Sequence, residues 1–494
     1  MPISGEQPNT RDDFKINVLQ YILIFAISSL VLIGGTANYY ISAQSPIGET
    51  AQDSNYAEDD YGGGQDGFLK GELTVFDDDY VVELFVSGLH FPTAIDFVGN
   101  DLLVLEKNTG KVIRINENGE IDKEPVLVVP VYNYDESGLL GIATTPNHVF
   151  LYFTESFEAN DPQKPNKNTV YQYDWDGNNL TNPILIKELS ADSWSHNGGV
   201  FAKGQNGEIY FVTGDDGKVT IFQNHPSYPS SNETGSIFKI YTDDDNRVEL
   251  FAVGIRNSFG LAVDPVTGYL WQTENGPREY DEINLVKNKF NSGWMTIMGP
   301  SNRSDAIIDQ SLYEKGIQSL EGFAYSDPEF SWHTPVGVTA IAFPDMTNFG
   351  KYQDWLFVGD FNNGRIYKFQ LNSDRTEFIF SAPNLKDLVY DSDDKLNEIV
   401  FAETFPGGVT DIKFGHDAMY VVSPFNHGSI YKIYPKQPIV HPSQTSLPDT
   451  PILEIEETSE ELPHAGIILT IIGAVIIGII VSVRKKRKAK LSNN

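Results

Sequence analysis

The chain has 494 residues and carries 35 Lys and Arg against 68 Asp and Glu, which gives a formal net charge of −33. Phosphate binding needs clustered Lys and Arg, so this acidity argues against nucleic acid as a partner. The chain has no cysteine, which excludes disulfides, thiolate nucleophiles and metals held by Cys.

Two apolar segments lie near the ends of the chain. The first, residues 18–35, follows a short N-terminal tail and is about long enough to cross a bilayer. It is either a signal peptide cleaved near Ala43 or an uncleaved anchor. The second, residues 465–483, is followed at once by a basic tail at 484–494, which marks the cytoplasmic side. The sequence therefore predicts N-terminal and C-terminal transmembrane helices and a domain on the extracytoplasmic side of the cell membrane.

Polar linkers separate these segments from the rest of the chain. Residues 36–69 form an acidic linker, and its Gly-rich stretch Glu49–Gly67 has little to bury. Residues 435–464 contain several prolines and an acidic run, a composition typical of an extended stalk. The folded domain is therefore predicted to span residues 70–434.

One pattern recurs within this domain: a strand with alternating apolar residues, a turn at Gly, Asn or Asp, and a second apolar strand. Six copies occur, at Thr93–Asn116, Leu139–Ser156, Gly198–Gly217, Phe259–Gly276, Val338–Leu371 and Val409–Tyr434. Period-two alternation indicates an all-β domain, and β repeats of this length favour a radial array of four-stranded sheets. The sequence therefore predicts a six-bladed β-propeller. A pair of β-sandwiches is the main alternative, but it would not give a sixfold pattern.

The turns that enter the innermost strands of a propeller converge on its central channel, so functional groups should gather there. These turns, with the turn after the second strand of the fourth copy, contain Glu136, His196, Arg256, Asn257 and Gly276-Pro277. A His and an Arg that face one pocket can act as a base and as a stabiliser of negative charge. A structural His and an Arg in an ion pair that fills the channel would fit the same residues.

Four motifs carry a family resemblance. They are HNGG (196–199), FAVGIRNSFGLAVDP (251–265), TENGPREYDEINLV (273–286) and DWLFVGDFNNGRIYKF (354–369). Together they resemble the soluble quinoprotein glucose/sorbosone dehydrogenase family, also called aldose sugar dehydrogenases. The second and third motifs are specific as a pair, whereas HNGG alone is weak. The resemblance runs in order from about Gly88 to Tyr434, and it implies a six-bladed β-propeller, in agreement with the repeats.

The resemblance also implies a site for pyrroloquinoline quinone (PQQ) with calcium, over which an aldose is oxidised to its lactone. His196 matches the general base of the family, and a neutral imidazole suits that role near neutral pH. Arg256 matches the residue that stabilises negative charge on the quinone oxygen, and Asn257 lies beside the cofactor. The backbone carbonyls of Gly276 and Pro277 match the calcium ligands, and calcium prefers hard oxygen donors.

Glu136, Asn362 and Thr410 are assigned to the same predicted cofactor site, but two of them depart from the family pattern. Asn362 stands where the family usually has a Lys, and Thr410 stands where it usually has an Arg. Both cationic residues would hold carboxylates of the cofactor. Losing a charge-assisted contact typically costs about 1.5–3 kcal/mol, so the sequence predicts weakened cofactor binding unless another group compensates.

Three functions follow from these observations. The first is a membrane-anchored quinoprotein dehydrogenase that oxidises a sugar and passes electrons to a membrane-bound or a copper or haem carrier. The second is a non-catalytic surface propeller that binds a sugar or a protein partner, because a fold does not fix a function. The third is a calcium-dependent lactonase, which the order of the family-specific turns disfavours.

Overall fold

The computed structural model describes residues 71–156, 167–217, 233–242, 246–317, 319–344, 349–391 and 396–436. The predicted N-terminal tail, both predicted membrane spans, the acidic linker, nearly all of the stalk and the basic tail lie outside these ranges. Within them, no helix is both long and apolar enough to cross a bilayer.

The described residues form short strands joined by turns. In chain order the strands of the first half are β1 (Thr74–Val75), β2 (Tyr80–Ser87), β3 (Pro92–Val98), β4 (Asp101–Glu106), β5 (Lys111–Ile115), β6 (Leu127–Val128), β7 (Leu139–Thr144), β8 (His148–Thr154), β9 (Lys167–Trp175), β10 (Leu180–Ser190), β11 (Phe201–Lys203), β12 (Ile209–Thr213), β13 (Ser236–Ile240) and β14 (Val248–Val253). Those of the second half are β15 (Gly260–Val263), β16 (Leu270–Glu274), β17 (Asp281–Val286), β18 (Phe290–Asn291), β19 (Ala324–Tyr325), β20 (Phe330–Trp332), β21 (Val338–Ala342), β22 (Trp355–Asp360), β23 (Ile366–Leu371), β24 (Phe378–Ile379), β25 (Val389–Tyr390), β26 (Val400–Glu403), β27 (Asp411–Gly415), β28 (Ala418–Ser423) and β29 (Ser429–Pro435). The helices are one-turn segments, α1 (Gln310–Tyr313) and α2 (Leu396–Ile399), with 3-10 turns at Ser304–Ala306, Gly350–Tyr352 and Pro383–Leu385.

These strands assemble into six sheets. Sheet 1 holds β3–β6, sheet 2 β7–β10, sheet 3 β11–β14 with β18 and β19, sheet 4 β15–β17 with β20 and β25, sheet 5 β21–β24 with β1 and β26, and sheet 6 β27–β29 with β2. The strands of each four-stranded or shorter meander pair antiparallel, as in the hairpins β3–β4 and β27–β28, whereas β18 joins β14 and β19 in parallel. The paired strands coincide with the six predicted repeats, so the hairpin assignment of the repeats is confirmed.

The first strand of each sheet's meander, β3, β7, β11, β15, β21 and β27, packs beside the next in a closed cycle that returns from β27 to β3. Threonine hydroxyls join neighbouring inner strands at or close to their first residues. The bonds run from Thr93 Oγ1 to Leu139 O at 2.9 Å, from Thr339 Oγ1 to Val409 O at 2.6 Å and from Thr410 Oγ1 to Pro92 O at 3.2 Å. The inner strands therefore begin at one common end, called the upper end below. The predicted all-β, propeller-like architecture is confirmed.

Sheet 6 is built from both ends of the domain. Strand β2 lies beside the last strand, β29, with Val82 opposite Ile433. Without β2, the edge of β29 would expose unpaired N–H and C=O groups. The pairing therefore closes the cycle of sheets non-covalently.

The core lies between neighbouring sheets. The middle strands β8, β16 and β28 are buried on both faces almost throughout. Strands β8 and β28 are accordingly near-continuous apolar runs, whereas β16 ends in the buried polar residues Gln272, Thr273 and Glu274. Glycines permit the closest approaches of the inner strands. A Cβ on Gly141 would lie 1.9 Å from Gly199 O, and one on Gly260 would lie 2.1 Å from Thr339 O.

Candidate active site

The turns at the upper end bring four of the predicted residues together. The Glu136 carboxylate accepts a hydrogen bond from the backbone N–H of His196 and lies 3.3 Å from the Asn257 side-chain nitrogen. Arg256 precedes Asn257, and its carbonyl accepts the backbone N–H of Asp215 at 2.8 Å. We call Glu136, His196, Asp215, Arg256 and Asn257 the His196 cluster. The prediction that Glu136, His196, Arg256 and Asn257 share one site agrees with this geometry.

His196 is held in a fixed orientation. Its backbone has a φ of 60°, a left-handed conformation that is uncommon for residues other than glycine. Its Nδ1 lies 2.6 Å from Asp215 Oδ1. A carboxylate only accepts hydrogen bonds, so Nδ1 carries the hydrogen and Nε2 is left with its lone pair. The side chain is 17% exposed, which leaves the ring accessible to a ligand.

Asp215 is held by donors on several sides. Besides the His196 ring it accepts the Trp294 indole N–H at 2.7 Å and the Gly217 backbone N–H at 2.9 Å. It is buried, and these donors offset the cost of burying its charge. Asp215 therefore fixes the orientation and the tautomer of His196.

The sequence analysis did not identify Asp215 or Trp294 as site residues. Signals for both were present: Asp215 is the first Asp of the GDD turn after β12, and Trp294 ends the NSGW run that begins in β18. Neither signal shows which distant residue is the partner, because Trp294 and Asp215 lie 79 positions apart.

Glu136 faces a mixture of donors and apolar surroundings. Burial raises the pKa of its carboxyl, and the nearby His196 acts in the opposite direction. The Asn257 side-chain nitrogen donates to Glu136. The Asn257 Oδ1 is buried and has no hydrogen-bond partner among the described residues. Glu136 and Asn257 thus form a polar surface on which Asn257 Oδ1 can accept a hydrogen bond from a ligand.

Arg256 enters the site from the turn before β15. Its N–H donates to Glu274 Oε1 at 2.6 Å, and its guanidinium donates to the Asn275 carbonyl at 2.8 Å. Its guanidinium carbon lies 5.4 Å from the centre of the Trp294 ring, within reach of a cation–π interaction. Burial lowers the pKa of Arg256, while Asp215, Glu136 and Glu274 favour its charged form. Its buried Nε has no hydrogen-bond partner among the described residues.

The Gly276-Pro277 turn joins β16 to β17. The Gly276 N–H donates to Asp281 Oδ1 at 2.9 Å, and Asp281 Oδ2 accepts from the backbone N–H groups of Val336 and Gly337. A Cβ on Gly276 would lie 2.1 Å from Tyr280 O, so the turn requires glycine. In the described part of the chain, no group of three or more His, Cys, Asp or Glu side chains could hold a metal. A cation at this turn would therefore depend on backbone carbonyls.

Asn362 and Thr410 lie at the upper end on the opposite side of the cycle. Asn362 is exposed, and its N–H donates to the Val336 carbonyl at 3.2 Å. The Thr410 hydroxyl is engaged with the Pro92 carbonyl. The nearby cations do not substitute for the missing charge here, because Arg365 pairs with Glu403 at 3.4 Å and Lys413 pairs with Asp411 at 3.4 Å.

An aromatic cluster occupies this opposite side. The Phe425 ring lies 5.9 Å from Phe361 and 5.2 Å from Phe91, between ring centres. The Lys107 ammonium lies 5.4 Å from the centre of the Phe91 ring. Burial lowers the pKa of Lys107 to about 7, against the attraction of Asp135 and Glu136. The site thus has a polar side around His196 and an aromatic side with one buried lysine.

Comparison with known proteins agrees with this architecture. The model of the family described as "Glucose / Sorbosone dehydrogenase" matches residues 89–396. Quinoprotein glucose dehydrogenase B of Acinetobacter calcoaceticus is 28% identical over 269 residues, which are 47% of this chain and 55% of that protein. The chain therefore spans only about half the length of that relative.

Two further proteins extend the comparison. Aldose sugar dehydrogenase YliI of Escherichia coli K12 is 24% identical over 60% of this chain and 81% of its own length. The solved structure of the PQQ-bound aldose sugar dehydrogenase of Streptomyces coelicolor superimposes with a TM-score of 0.53 at 21% identity, over 72% of this chain and 99% of that one. At this identity the superposition supports the fold alone.

Proposed function

Because the chain belongs to the glucose/sorbosone dehydrogenase family, we propose that it oxidises an aldose or a related sugar with PQQ and calcium as cofactors. The observation that carries this proposal is the His196–Asp215 pair beside Arg256 at the upper end of the sheets. We also infer that the six sheets are the blades of a single propeller, which the closed cycle of inner strands supports.

The polar side of the site fits a quinone with calcium. Arg256 Nε and Asn257 Oδ1 are a buried donor and a buried acceptor without partners among the described residues, and such groups are normally satisfied by a ligand or water. The carbonyls of Gly276 and Pro277 would supply two hard oxygen donors. Calcium takes six to eight oxygens, so the cofactor and water would supply the others.

Three residues of the His196 cluster have a defined task in the proposed reaction. His196 takes the proton of the anomeric hydroxyl at Nε2, and Asp215 stabilises the imidazolium that forms. The Arg256 guanidinium stabilises the negative charge that develops beside it. When bound, PQQ supplies the hydride acceptor and calcium polarises it. The anomeric carbon thus loses a hydride and its hydroxyl loses a proton, so the aldose becomes a lactone.

A non-catalytic propeller that binds a sugar or a protein partner is the second candidate. The uncharged Asn362 and the engaged hydroxyl of Thr410 favour it, since neither supplies a positive charge for a carboxylate of the cofactor. The His196–Asp215 pair argues against it, because a binding site does not need a histidine held in one tautomer.

We also propose that the domain lies on the extracytoplasmic side and is tethered through residues 465–483. The basic tail that follows this apolar segment supports the orientation. The electrons would then pass to a membrane-bound or a copper or haem carrier. Protease added to intact cells is expected to degrade the domain, and its full protection would contradict this location.

The activity is tested with the full chain incubated with PQQ and calcium chloride. Aldoses are supplied with an artificial dye, and dye reduction is followed. We expect reduction that requires the sugar, PQQ and calcium together, with omission of PQQ and addition of a calcium chelator as controls. An absence of cofactor-dependent reduction at saturating PQQ would support the non-catalytic propeller instead.

A further inference from the structure

Sheet 1 stands across the axis from the residues that hold the polar side of the site. The inner strands form a cycle in which β3 of sheet 1 is three steps from β15 of sheet 4 in either direction. Arg256 and Asn257 lie in the turn before β15, and the buried Arg256 Nε and Asn257 Oδ1 lack partners among the described residues. A ligand held by these two atoms and extended across the axis therefore points toward the turns of sheet 1.

Lys107 lies in one of those turns, directly after β4. Its backbone N–H donates to the Phe91 carbonyl at 3.1 Å, and its carbonyl accepts the Leu139 N–H at 3.0 Å. Phe91 comes directly before β3, and Leu139 is the first residue of β7. These bonds place Lys107 at the upper end, between the entries of the inner strands of sheets 1 and 2.

The Lys107 side chain lies between the polar and the aromatic sides of the site. A Cβ added to Gly138 would lie 2.6 Å from Lys107 Cγ, so the aliphatic stem packs on the backbone two residues beyond Glu136. The ammonium donates to Asn108 Oδ1 at 3.0 Å and lies 5.4 Å from the centre of the Phe91 ring. Lys107 is only 4% exposed, so its ammonium is enclosed beside the site instead of extending into solvent.

The charge of Lys107 depends on what lies next to it. Burial lowers its pKa to about 7, while Asp135 and Glu136 favour the charged form. Glu106, the preceding residue, accepts the His90 backbone N–H at 2.9 Å. An anion beside an ammonium that is shielded from water is attracted more strongly than in water, and it raises the pKa of that ammonium. A carboxylate that binds here would therefore make Lys107 take up a proton near neutral pH.

We propose that Lys107 binds a carboxylate of PQQ on the aromatic side of the site. This inference rests on the proposed function and adds a cofactor-binding residue to it. Asn362 and Thr410 supply no positive charge on this side, and Arg365 and Lys413 pair with carboxylates of the protein itself. Lys107 thus offsets part of the cofactor affinity that the two uncharged residues forfeit.

Calorimetric titration of the full chain with PQQ, at saturating calcium and without sugar, tests this assignment. Lys107→Met removes the charge and keeps an unbranched side chain, so PQQ should bind about tenfold or more weakly. The methyl ester of PQQ, in which no carboxylate remains, should bind the wild type and the variant equally. The matched control is Lys111→Met, at the start of β5 in the same sheet, which should change neither affinity.

Proton uptake gives a second readout, which a purely structural role would not change. Titrations in buffers of different ionisation enthalpy should show that the wild type takes up most of a proton with PQQ at pH 8 and little at pH 6, because binding restores the charge on Lys107. The PQQ affinity of the wild type should accordingly fall as pH rises above about 7. Lys107→Arg stays charged at every pH, so it should keep the affinity for PQQ and lose the uptake.

Three results would overturn the proposal. Equal PQQ affinity in the wild type and Lys107→Met would show that no carboxylate contacts Lys107. An equal loss of affinity for PQQ and for its methyl ester would show that Lys107 only supports the fold of the site. Proton uptake that persists unchanged in Lys107→Met would place the titrating group elsewhere.

The same titrations separate this proposal from the proposed function. A wild type that does not bind PQQ would overturn both Lys107 as a binding residue and PQQ as the cofactor. PQQ binding that meets the expectations for Lys107→Met and Lys107→Arg, without reduction of the bound quinone by any aldose, would support the role of Lys107 and overturn the oxidation alone.

Discussion

At the scale of single residues, the site depends on one buried carboxylate that sequence patterns did not reveal. His196, Arg256, Asn257 and Glu136 stand out as polar residues at turns, so their gathering at one end could be predicted from the repeats. Asp215 lies in the third repeat, in the turn after β12, whereas His196 lies before β11 of the same repeat. Only the folded hairpin shows that it faces the His196 ring at 2.6 Å instead of solvent.

Asp215→Asn tests the orienting role of this carboxylate. The amide cannot stabilise an imidazolium and would leave His196 free to adopt the other tautomer, so kcat should fall about a hundredfold or more. PQQ affinity should change little, and the pH profile of kcat should shift. Asp216→Asn is the matched control, because Asp216 bonds the 190–193 loop and Asn tolerates its left-handed φ of 63°. Equal effects of the two substitutions would contradict the assigned role.

The aromatic side of the site, where Asn362 and Thr410 lie, gives a gain-of-binding prediction. Asn362→Lys with Thr410→Arg should restore two cations, and each charge-assisted contact should tighten PQQ binding about tenfold or more. Calorimetric titration of the full chain measures the affinity, and added salt should weaken the double variant more than the wild type. An unchanged affinity would show that these positions do not face the cofactor.

At the scale of elements, two middle strands end in a buried carboxyl group, β16 at Glu274 and β22 at Asp360. Asp360, at the end of β22, accepts the Asn363 and Arg365 backbone N–H groups and the Tyr367 hydroxyl. Its side chain is fully buried, and burial raises the pKa of Asp360 from 3.8 to about 6. Asn362 lies within this turn, so these hydrogen bonds hold its backbone in place.

The raised pKa of Asp360 predicts a specific pH dependence of stability. Between pH 3.8 and about 6 the folded state holds a proton that the unfolded state has released, so the free energy of unfolding should fall as pH rises through this window. The total change is about 3 kcal/mol. Asp360→Asn should remove this slope in urea unfolding curves measured from pH 3.5 to 7. Parallel pH profiles of wild type and variant would contradict the assignment.

Sheets 4 and 5 are joined by a buried ion pair. Arg375, in the turn before β24, donates to Asp264 in the β15–β16 turn at 2.7 Å, and both side chains are buried. Removing one partner of such a pair typically costs about 3–5 kcal/mol, so Arg375→Ala should lower the unfolding free energy by that amount in urea titration. Arg247→Ala, which breaks an exposed pair with Glu249, should matter far less. Equal effects would mean that the buried pair contributes no more than a surface contact.

At the scale of the whole molecule, the repeats predicted the meander of each sheet but not how the cycle closes. Hairpin turns and apolar alternation are local signals, so β3–β4 or β27–β28 can be found in the sequence. The pairing of β2 with β29 joins residues about 350 positions apart, and short strands such as β18 and β25 have no pattern of their own. The Trp294–Asp215 and Arg375–Asp264 contacts were missed for a similar reason, because they join residues 79 and 111 positions apart.

The central claim is that this cycle of sheets presents His196 as the base for oxidation of a sugar by a bound quinone. Stopped-flow absorbance of the full chain loaded with PQQ and calcium, mixed with excess aldose and without dye, tests it most directly. The wild type is expected to reduce its bound quinone in one rapid phase, whereas His196→Ala should bind PQQ with similar affinity and reduce it about a hundredfold to ten-thousandfold more slowly. Equal rates in the two proteins, or a wild type whose bound quinone is not reduced by any aldose, would contradict the claim.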